Sequence, residues 1–317
     1  MKKYFIVDGH TDVLLRCMKD DIHLKERLSK GHVDIPRLKE GNVKLQIFAI
    51  FVESQYKPER ALKQAVLMIE KFYKELEENE NDMVLIKYLS DFQKIENNDK
   101  IGAILSIEGG EPIETNLELL DFFYRLGVRA MGLTWNERNM IANGSAEWGM
   151  LGGLSKFGRD VVKRMNRLGM IVDVSHITPP GFWDVIEVSE KPIIASHSNA
   201  YSLCEHPRNL TDLQIKALAE KRGVIGINFY ANFLNSSGKA TLEDVIRHID
   251  YIVQLVGPDY VGMGSDFDGI DIWPEELYDA SRFPLIFEEL EKRGYKEEDI
   301  RKIAGENFLR VIRENWI

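Results

Sequence analysis

The sequence predicts an α/β protein with the fold of a (β/α)8, or TIM, barrel. Short apolar runs rich in β-branched residues alternate with amphipathic stretches along the whole chain, as in repeated βα units. Eight such runs occur, which is the number of strands in this barrel. Polar residues with metal-ligand chemistry follow runs from both ends of the chain, and a closed barrel brings such positions together at its carboxyl-terminal mouth. The strand patterns lie at residues 4–8, 43–52, 101–107, 128–134, 170–175, 192–196, 223–229 and 260–265.

Amphipathic stretches between the strand patterns predict helices, and several of them carry start signals. Ser155 stands where an N-cap residue is expected, and Thr241 with Asp244 resembles a capping box. Glycines follow three of the helical patterns and are expected to adopt the left-handed conformation of a helix C-terminus. These glycines are Gly127, Gly169 and Gly223. The predicted helices include residues 59–78, 116–126, 155–168, 212–222 and 241–255.

A doubly wound open sheet is the alternative α/β architecture. Its dinucleotide-binding members carry a GxGxxG sequence after the first strand, and no such sequence is present here. Neither a low-complexity tract nor a composition shift interrupts the βα pattern. We therefore expect residues 1–317 to form a single barrel domain.

The composition excludes several classes of protein. The 317 residues carry a formal net charge of −10 at pH 7, which argues against a nucleic-acid partner. No apolar run approaches the roughly 20 residues that cross a bilayer, and the apolar stretch after Lys3 is too short for a signal peptide. Cys17 and Cys204 are expected to be free buried thiols in a reducing compartment. Together these features predict a cytoplasmic protein without a membrane partner.

His10 and Asp12 form an HxD pair at the end of the first strand pattern. Residues i and i+2 of an extended backbone point to the same face, so both side chains can bind one metal ion. The same pair also occurs in turns whose aspartate caps the next helix, so it is weak evidence when taken alone.

His176 and His197 each follow a strand pattern, in the sequences DVSH and ASHS. A lone histidine is more often a hydrogen-bonded structural residue than a ligand. Two histidines in equivalent positions, together with the HxD pair, favour a metal site. Imidazole and carboxylate ligands suit zinc or a neighbouring first-row ion, whereas calcium and magnesium prefer oxygen ligands alone.

Two further carboxylates follow strand patterns. Glu108 can cap a helix or pair with an arginine, but its two oxygens can also bridge two metal ions. Asp266, in GSDFDG, is a candidate to accept the proton of a metal-bound water and pass it to a leaving group. We expect its neighbour Asp268, followed by Gly269, to belong to a surface turn.

Taken together, these motifs resemble the membrane dipeptidase (renal dipeptidase) family of binuclear zinc hydrolases, which are amidohydrolase-like barrels. The motifs span nearly the whole chain in the order of the family. They are DGHTD at 8–12, SIEGG at 106–110, DVSH at 173–176, SHSNAYSLCEHPRN at 196–209, NFY at 228–230 and GSDFDG at 264–269.

The resemblance implies a zinc-dependent dipeptidase in which a metal-bridging hydroxide attacks the peptide bond of a small dipeptide. It assigns Asp266 to the proton of that hydroxide and Arg208 to the terminal carboxylate of the substrate. A guanidinium suits the second role because it donates two parallel hydrogen bonds. L-Xaa-D-Xaa substrates and a homodimer are also implied. The implied ligands are His10 and Asp12 on one Zn²⁺, His176 and His197 on the second, and Glu108 as the bridge.

Two positions depart from the mammalian members of the family, and the sequence LTWN at 133–136 resembles bacterial members instead. Trp135 stands where they carry a histidine that contacts the substrate, and its indole N–H can offer one hydrogen bond there. Phe233 stands where they carry a tyrosine, so a hydroxyl contact to the substrate carboxylate is expected to be missing. Both departures bear on the choice of substrate more than on the metal chemistry.

Two alternative functions remain open at this point. A barrel amidohydrolase acting on another amide, a lactone or a β-lactam would use the same metal chemistry. A non-catalytic relative that keeps the barrel would explain the changes at Trp135 and Phe233.

Overall fold

A computed structural model describes residues 4–96 and 98–316. The described residues form nine parallel strands, of which eight close into a barrel in the order β1, β2, β4, β5, β6, β7, β8, β9. Pairing of β9 with β1 completes the ring, which confirms the predicted (β/α)8 class. The strands are β1 Ile6–Thr11, β2 Val43–Phe51, β3 Met83–Leu85, β4 Ile101–Glu108, β5 Val128–Gly132, β6 Ile171–Asp173, β7 Ile194–Ala195, β8 Val224–Ile227 and β9 Val261–Met263.

The ninth strand, β3, has only three residues and has no counterpart among the strand patterns. It pairs with the first residues of β4, Ile101–Ala103, whereas β5 pairs with β4 farther along, from Leu105 to Glu108. A three-residue apolar segment is too short to give a periodic signal, which is why the sequence did not predict it.

Helices follow most of the strands, as a barrel requires. Ser155 accepts a hydrogen bond from the Gly158 N–H, and Thr241 with Asp244 forms the predicted capping box. No helix among residues 4–96 and 98–316 is long and apolar enough to span a bilayer. The helices are α1 Val13–Lys19, α2 Ile35–Glu40, α3 Ala61–Glu78, α4 Gln93–Glu96, α5 Leu117–Arg125, α6 Lys156–Leu168, α7 Pro179–Val188, α8 Asp212–Glu220, α9 Ala231–Leu234, α10 Leu242–Val256, α11 Pro284–Lys292, α12 Glu297–Arg301 and α13 Asn307–Asn315.

The left-handed residues at helix ends follow the prediction at two of three positions. Gly127 and Gly169 have φ values of +100° and +75°. At the third position Arg222, with φ +59°, takes the left-handed conformation in place of Gly223. Gly223 is needed for another reason, because a Cβ there would lie 2.4 Å from the carbonyl oxygen of Ile193.

The last helix, α13, packs against the amino-terminal end of the barrel. Phe308 and Ile312 belong to one buried cluster with strand residues such as Val7, Ile171 and Val224. A second, larger cluster lies between the strands and the surrounding helices. Since the amino-terminal end is filled, the open end for a site is the carboxyl-terminal mouth, where barrels of this class bind ligands.

Candidate metal centre

The six residues that the sequence singled out lie together at the carboxyl-terminal mouth. Their positions follow from the strand ends. His10 lies within β1 and Asp12 directly after it, Glu108 is the last residue of β4, and the other three follow β6, β7 and β9 by two or three residues. All six are largely buried. The three residues that follow β6, β7 and β9 are His176, His197 and Asp266, respectively.

The carboxylate of Glu108 lies between two groups of histidines. Its Oε1 atom is 2.9 Å from His176 Nε2 and 3.7 Å from His197 Nε2. Its Oε2 atom is 3.3 Å from His10 Nε2, which in turn lies 3.3 Å from Asp12 Oδ2. Each oxygen of Glu108 therefore faces a different set of possible metal ligands.

His176 and His197 present unprotonated nitrogens to the same point. His176 Nδ1 donates to Asn136 Oδ1 at 2.9 Å, so its Nε2 carries the lone pair. His197 Nδ1 lies 2.7 Å from Ser196 Oγ. The Ser196 hydroxyl donates to Asp173, so it accepts from His197 and fixes that ring in the same tautomer. The two Nε2 atoms are 2.8 Å apart, which is an unfavourable contact between lone pairs unless a cation lies beside both.

Electrostatics favour neutral imidazoles on this side of the site. Burial, with help from Arg208, lowers the pKa of His176 to about 3. Burial and the charge on His10 lower the pKa of His197 well below its usual value. Neutral imidazole is the form that binds a metal ion.

The other side of the site is rich in carboxylates. Burial alone would lower the pKa of His10, but Glu108 and Asp12 outweigh it and raise the pKa well above the usual value. Burial and the neighbouring Glu108 raise the pKa of Asp12 to about 6. Asp12 Oδ1 is buried and has no hydrogen-bond donor among the described residues. Three carboxylates around one imidazole attract positive charge, which a metal ion or a proton on His10 can supply.

Asp266 lies at the edge of this acidic group. Its Oδ1 atom is 3.9 Å from His10 Nε2, and its Oδ2 atom accepts a hydrogen bond of 2.8 Å from Asn228 Nδ2. Burial, together with Asp12 and Glu108, raises its pKa to about 7. Asn228 therefore holds the Asp266 carboxylate in place. This carboxylate lies close to the candidate metal ligands but is not enclosed by them.

Two of the site residues have a backbone conformation that few non-glycine residues adopt. His176 has φ +69° and Asp266 has φ +62°. The left-handed region is tolerated best by short polar side chains, and strain of this kind concentrates at functional sites. Gly109, with φ +86°, makes the corresponding turn directly after Glu108.

Arg208 is buried and lines the same cavity. Its Nη2 atom donates to the carbonyl oxygen of His197 at 3.2 Å. Its Nε atom has no hydrogen-bond acceptor among the described residues. Burial lowers the pKa of the guanidinium to about 10, so it remains charged at neutral pH. A buried cation with an unused N–H is suited to bind an anionic group of a ligand.

The cavity at the mouth has a volume of about 730 Å³. Trp135 lies in its wall with its ring 4.9 Å from that of Phe51. Phe233 lies beneath Arg208, with the guanidinium carbon 5.5 Å from its ring centroid. Tyr230 packs edge-on against Phe233 and also lines the cavity. A phenol therefore lines the same cavity as the arginine even though position 233 lacks one.

Asp268 lies in a turn with Gly269, as expected, but its side chain is not at the surface. Its side chain is 1% exposed and accepts from Arg16 Nη1 at 2.9 Å. It also accepts from the backbone N–H groups of His32 and Val33 at 3.0 and 3.1 Å. Asp268 therefore ties the loop after β9 to the segment before α2, which is a contact between residues too distant in sequence to be inferred from a turn motif.

Sequence reasoning did not assign roles to the residues that orient the ligands. These residues are Asn136, Asp173, Ser196 and Asn228. Their only signal was their presence in or beside the motifs, since a hydrogen-bond role depends on contacts between different strands.

The arrangement fits metal binding. Imidazole nitrogens and carboxylate oxygens converge, and ligand atoms of His10, Glu108 and His197 all lie within 4.8 Å of one another. The same holds for His10, Asp12 and Asp266. Such mixed nitrogen and oxygen ligands are typical of zinc and neighbouring first-row metals.

Comparisons with known proteins agree with this chemistry. Residues 1–316 match the sequence pattern of the membrane dipeptidase family, peptidase family M19. An uncharacterised dipeptidase of Schizosaccharomyces pombe is 35% identical over 96% of this chain and 79% of its own length. The solved structure of a dipeptidase of family M19 is 30% identical, with a TM-score of 0.92 over 99% of both chains. A metallopeptidase from Rhodobacter sphaeroides, solved with a phosphinate mimic of the dipeptide L-Ala-D-Ala, is also 30% identical. Its TM-score is 0.93 over 99% of this chain and 100% of that one.

Proposed function

Because this chain belongs to the membrane dipeptidase family, peptidase family M19, we propose that it hydrolyses dipeptides with two zinc ions bound at the barrel mouth. The observation that carries the proposal is the position of Glu108, whose two carboxylate oxygens face different histidines. In the proposal His10 and Asp12 bind one ion, while His176 and His197 bind the other. Glu108 bridges them.

The metal pair, when bound, supplies Lewis acidity and lowers the pKa of water at the site. The protein's own part is to hold the ligands in one protonation state and one orientation. Asn136 fixes the ring of His176, and Ser196 fixes that of His197. Such outer hydrogen bonds raise metal affinity because they keep the ligand nitrogens unprotonated and aimed.

Asp266 is proposed to move the proton in the reaction. It lies within 3.9 Å of His10 Nε2, and Asn228 holds its other oxygen. A carboxylate in this place can accept a proton from the attacking water and deliver it to the departing amine nitrogen. Since Asn228 donates to Oδ2, the Oδ1 atom remains available for the proton.

Arg208 is proposed to bind the free carboxylate of the dipeptide. Its unused Nε–H and its burial beside the cavity support this role. A fixed carboxylate places the single peptide bond of a dipeptide at a constant distance from the arginine, so a longer or blocked peptide would be misplaced. The complex of the Rhodobacter sphaeroides relative with a mimic of L-Ala-D-Ala supports dipeptides with a D-residue at the carboxyl end as substrates.

A panel of dipeptides tests this function. Purified protein loaded with zinc is incubated with L,L and L,D dipeptides, and with the same dipeptides carrying a carboxyl-terminal amide. Hydrolysis of free dipeptides at rates well above those of the amides is expected. Hydrolysis of the amides, of lactones or of β-lactams in preference would support the amidohydrolase alternative. No hydrolysis of any compound by fully loaded protein would support a non-catalytic relative.

The proposal also includes one barrel domain over residues 1–317, a cytoplasmic location and a homodimer. Cys17 and Cys204 are both buried free thiols, as expected in a reducing compartment. Analytical ultracentrifugation at several protein concentrations tests the homodimer.

A further inference from the structure

Lys57 lies at the edge of the mouth and takes no part in the proposed chemistry. Its side chain is 8% exposed, and its Nζ atom lies 3.2 Å from Glu111 Oε1 and 3.2 Å from Glu137 Oε2. The same ammonium lies 5.4 Å from the ring centroid of Phe51 and 5.0 Å from that of Trp135. Ion pairs and contacts with aromatic faces are both stronger when the cation is withdrawn from water, so Lys57 is firmly held.

These contacts join the loops that follow three neighbouring strands of the barrel. Phe51 ends β2 and Lys57 lies in the loop after it, Glu111 lies after β4, and Trp135 and Glu137 lie after β5. In the ring, β2, β4 and β5 are consecutive. One ammonium therefore contacts both aromatic rings and both carboxylates.

Phe51 and Trp135 together form a surface that we call the aromatic wall. Both rings line the cavity, with centroids 4.9 Å apart. Arg208 follows β7, which is four strands from β2 in either direction around the ring of eight. Phe51 therefore lies across the mouth from Arg208. Trp135 follows β5 and extends the wall towards the metal ligands, with its ring centroid 6.2 Å from that of His176.

We propose that the aromatic wall receives the side chain of the amino-terminal residue of the dipeptide, and that Lys57 is the positioning residue that holds the wall. The proposal rests on the proposed function, because the carboxylate bound to Arg208 directs the first residue of the substrate across the mouth. An apolar side chain is stabilised by burial against the rings, whereas glycine has no side chain to bury. The enzyme therefore selects dipeptides with apolar amino-terminal residues.

Dipeptides that differ only in their first residue test the selection. Gly-Ala, Leu-Ala and Phe-Ala, each with D-alanine as the second residue, are compared by kcat/KM with zinc-loaded protein. Leu-Ala and Phe-Ala are expected to exceed Gly-Ala by about tenfold or more, as hydrophobic pockets discriminate by such factors. Trp135→Ala is expected to lower the ratio of Phe-Ala to Gly-Ala to about one-tenth of its wild-type value.

Lys57→Met tests the positioning role through the ratio of kcat/KM for Phe-Ala to kcat/KM for Gly-Ala. A general loss of folded enzyme would lower both values equally and leave this ratio unchanged. The ratio is expected to fall several-fold and to be restored in Lys57→Arg, which keeps a cation between the rings and the carboxylates. Since Lys57→Met leaves Glu111 buried without its cation, Lys57→Met/Glu111→Gln provides a second variant without that charge. Lys63→Met, at an exposed lysine of α3, is the matched control and is expected to keep the wild-type ratio.

The possible outcomes distinguish a failure of the aromatic wall proposal from a failure of the proposed dipeptidase function. If none of the three dipeptides is hydrolysed, and no member of the L,L and L,D panel is hydrolysed either, the dipeptidase function itself is wrong. If all three are hydrolysed with equal kcat/KM, the dipeptidase function stands and the aromatic wall does not select the first residue. If Trp135→Ala lowers the ratio but neither Lys57 variant does, the positioning role of Lys57 is overturned.

Discussion

His176 Nε2 and His197 Nε2 lie 2.8 Å apart, and the hydrogen bonds to the opposite ring nitrogens leave a lone pair on each of them. A cation beside both nitrogens removes this repulsion, so metal binding should stabilise the folded protein. Zinc at 100 times its dissociation constant would add about 2.7 kcal/mol to the free energy of unfolding. We expect zinc to raise the Tm of chelator-treated protein by several degrees in scanning calorimetry, and calcium to raise it far less. Equal Tm values with and without zinc would contradict the assignment.

Ser196→Ala should weaken metal binding without removing a ligand. The hydroxyl of Ser196 connects Asp173 to His197 Nδ1, and its loss frees the ring to rotate and to change tautomer. Loss of such an outer contact typically lowers metal affinity 10- to 100-fold. Competition with a fluorescent zinc chelator measures the change. Ser202→Ala, at an exposed serine in the same loop, is the control, and equal affinities of the two variants would argue against the role of Ser196.

Asp266→Asn should separate catalysis from metal binding. The amide keeps the size of the carboxylate but cannot accept the proton, so we expect kcat to fall by about 10²- to 10⁴-fold. Metal content, measured by atomic emission, should remain that of the wild type. Asp160→Asn, at an exposed position on α6, should have no effect. A variant at Asp266 with near wild-type kcat would show that another group moves the proton.

Arg208→Lys should raise KM for dipeptides because the ammonium cannot donate two parallel hydrogen bonds to a carboxylate. We expect KM to rise by about tenfold or more, corresponding to the loss of one charge-assisted hydrogen bond. The rise should be absent for dipeptide amides, which have no carboxylate to bind. A similar rise for both substrates would mean that Arg208 acts on the structure of the site as a whole.

His248 should make stability depend on pH in the mildly acidic range. Its Nδ1 atom accepts from the Ala200 N–H at 3.1 Å and its Nε2 atom donates to the carbonyl oxygen of Leu234 at 3.0 Å. Burial lowers its pKa to about 4, with a smaller contribution from Arg247 that Asp244 opposes. The folded state therefore keeps the neutral ring at pH values where the unfolded state, with a pKa near 6.5, already binds a proton.

The sign of the effect follows from this difference. The contribution of His248 to the free energy of unfolding is present above pH 6.5 and is lost as the pH falls towards 4. Between pH 7 and pH 5 the free energy of unfolding should fall by about 2 kcal/mol. Urea unfolding of metal-free protein at the two pH values measures it. His248→Gln, whose amide can both accept and donate, should show a smaller difference between pH 7 and pH 5. An unchanged difference would exclude His248 as its cause.

The sequence predicted the barrel because each buried strand appears in it as a short apolar run. The apolar run before Glu108 matches β4 almost residue for residue, since a strand buried on both faces is a continuous apolar segment. The first strand was placed too early, at residues 4–8 instead of Ile6–Thr11, because Gly9 and the polar residues His10 and Thr11 interrupt the apolar run inside a buried strand. Polar residues within strands are a feature of functional sites, and they obscure the pattern there.

The metal ligands could be proposed from sequence because each one lies near the end of a strand or within three residues after it. The residues that orient them could not, since Ser196 meets Asp173 only through the pairing of β6 with β7. The same is true of Asp268, whose partners Arg16 and His32 are more than 200 positions away in the chain. The contact of Lys57 with Trp135 likewise depends on how two loops pack at the barrel mouth. Contacts of this kind leave no local pattern.

Zinc titration of the chelator-treated protein, with dipeptide hydrolysis measured at each step, tests the central claim most directly. If Glu108 bridges two ions, hydrolysis of an L,D dipeptide should rise with added zinc and reach its plateau at two ions per chain. Full activity with one ion per chain, or no hydrolysis of any dipeptide with two ions bound, would contradict the account.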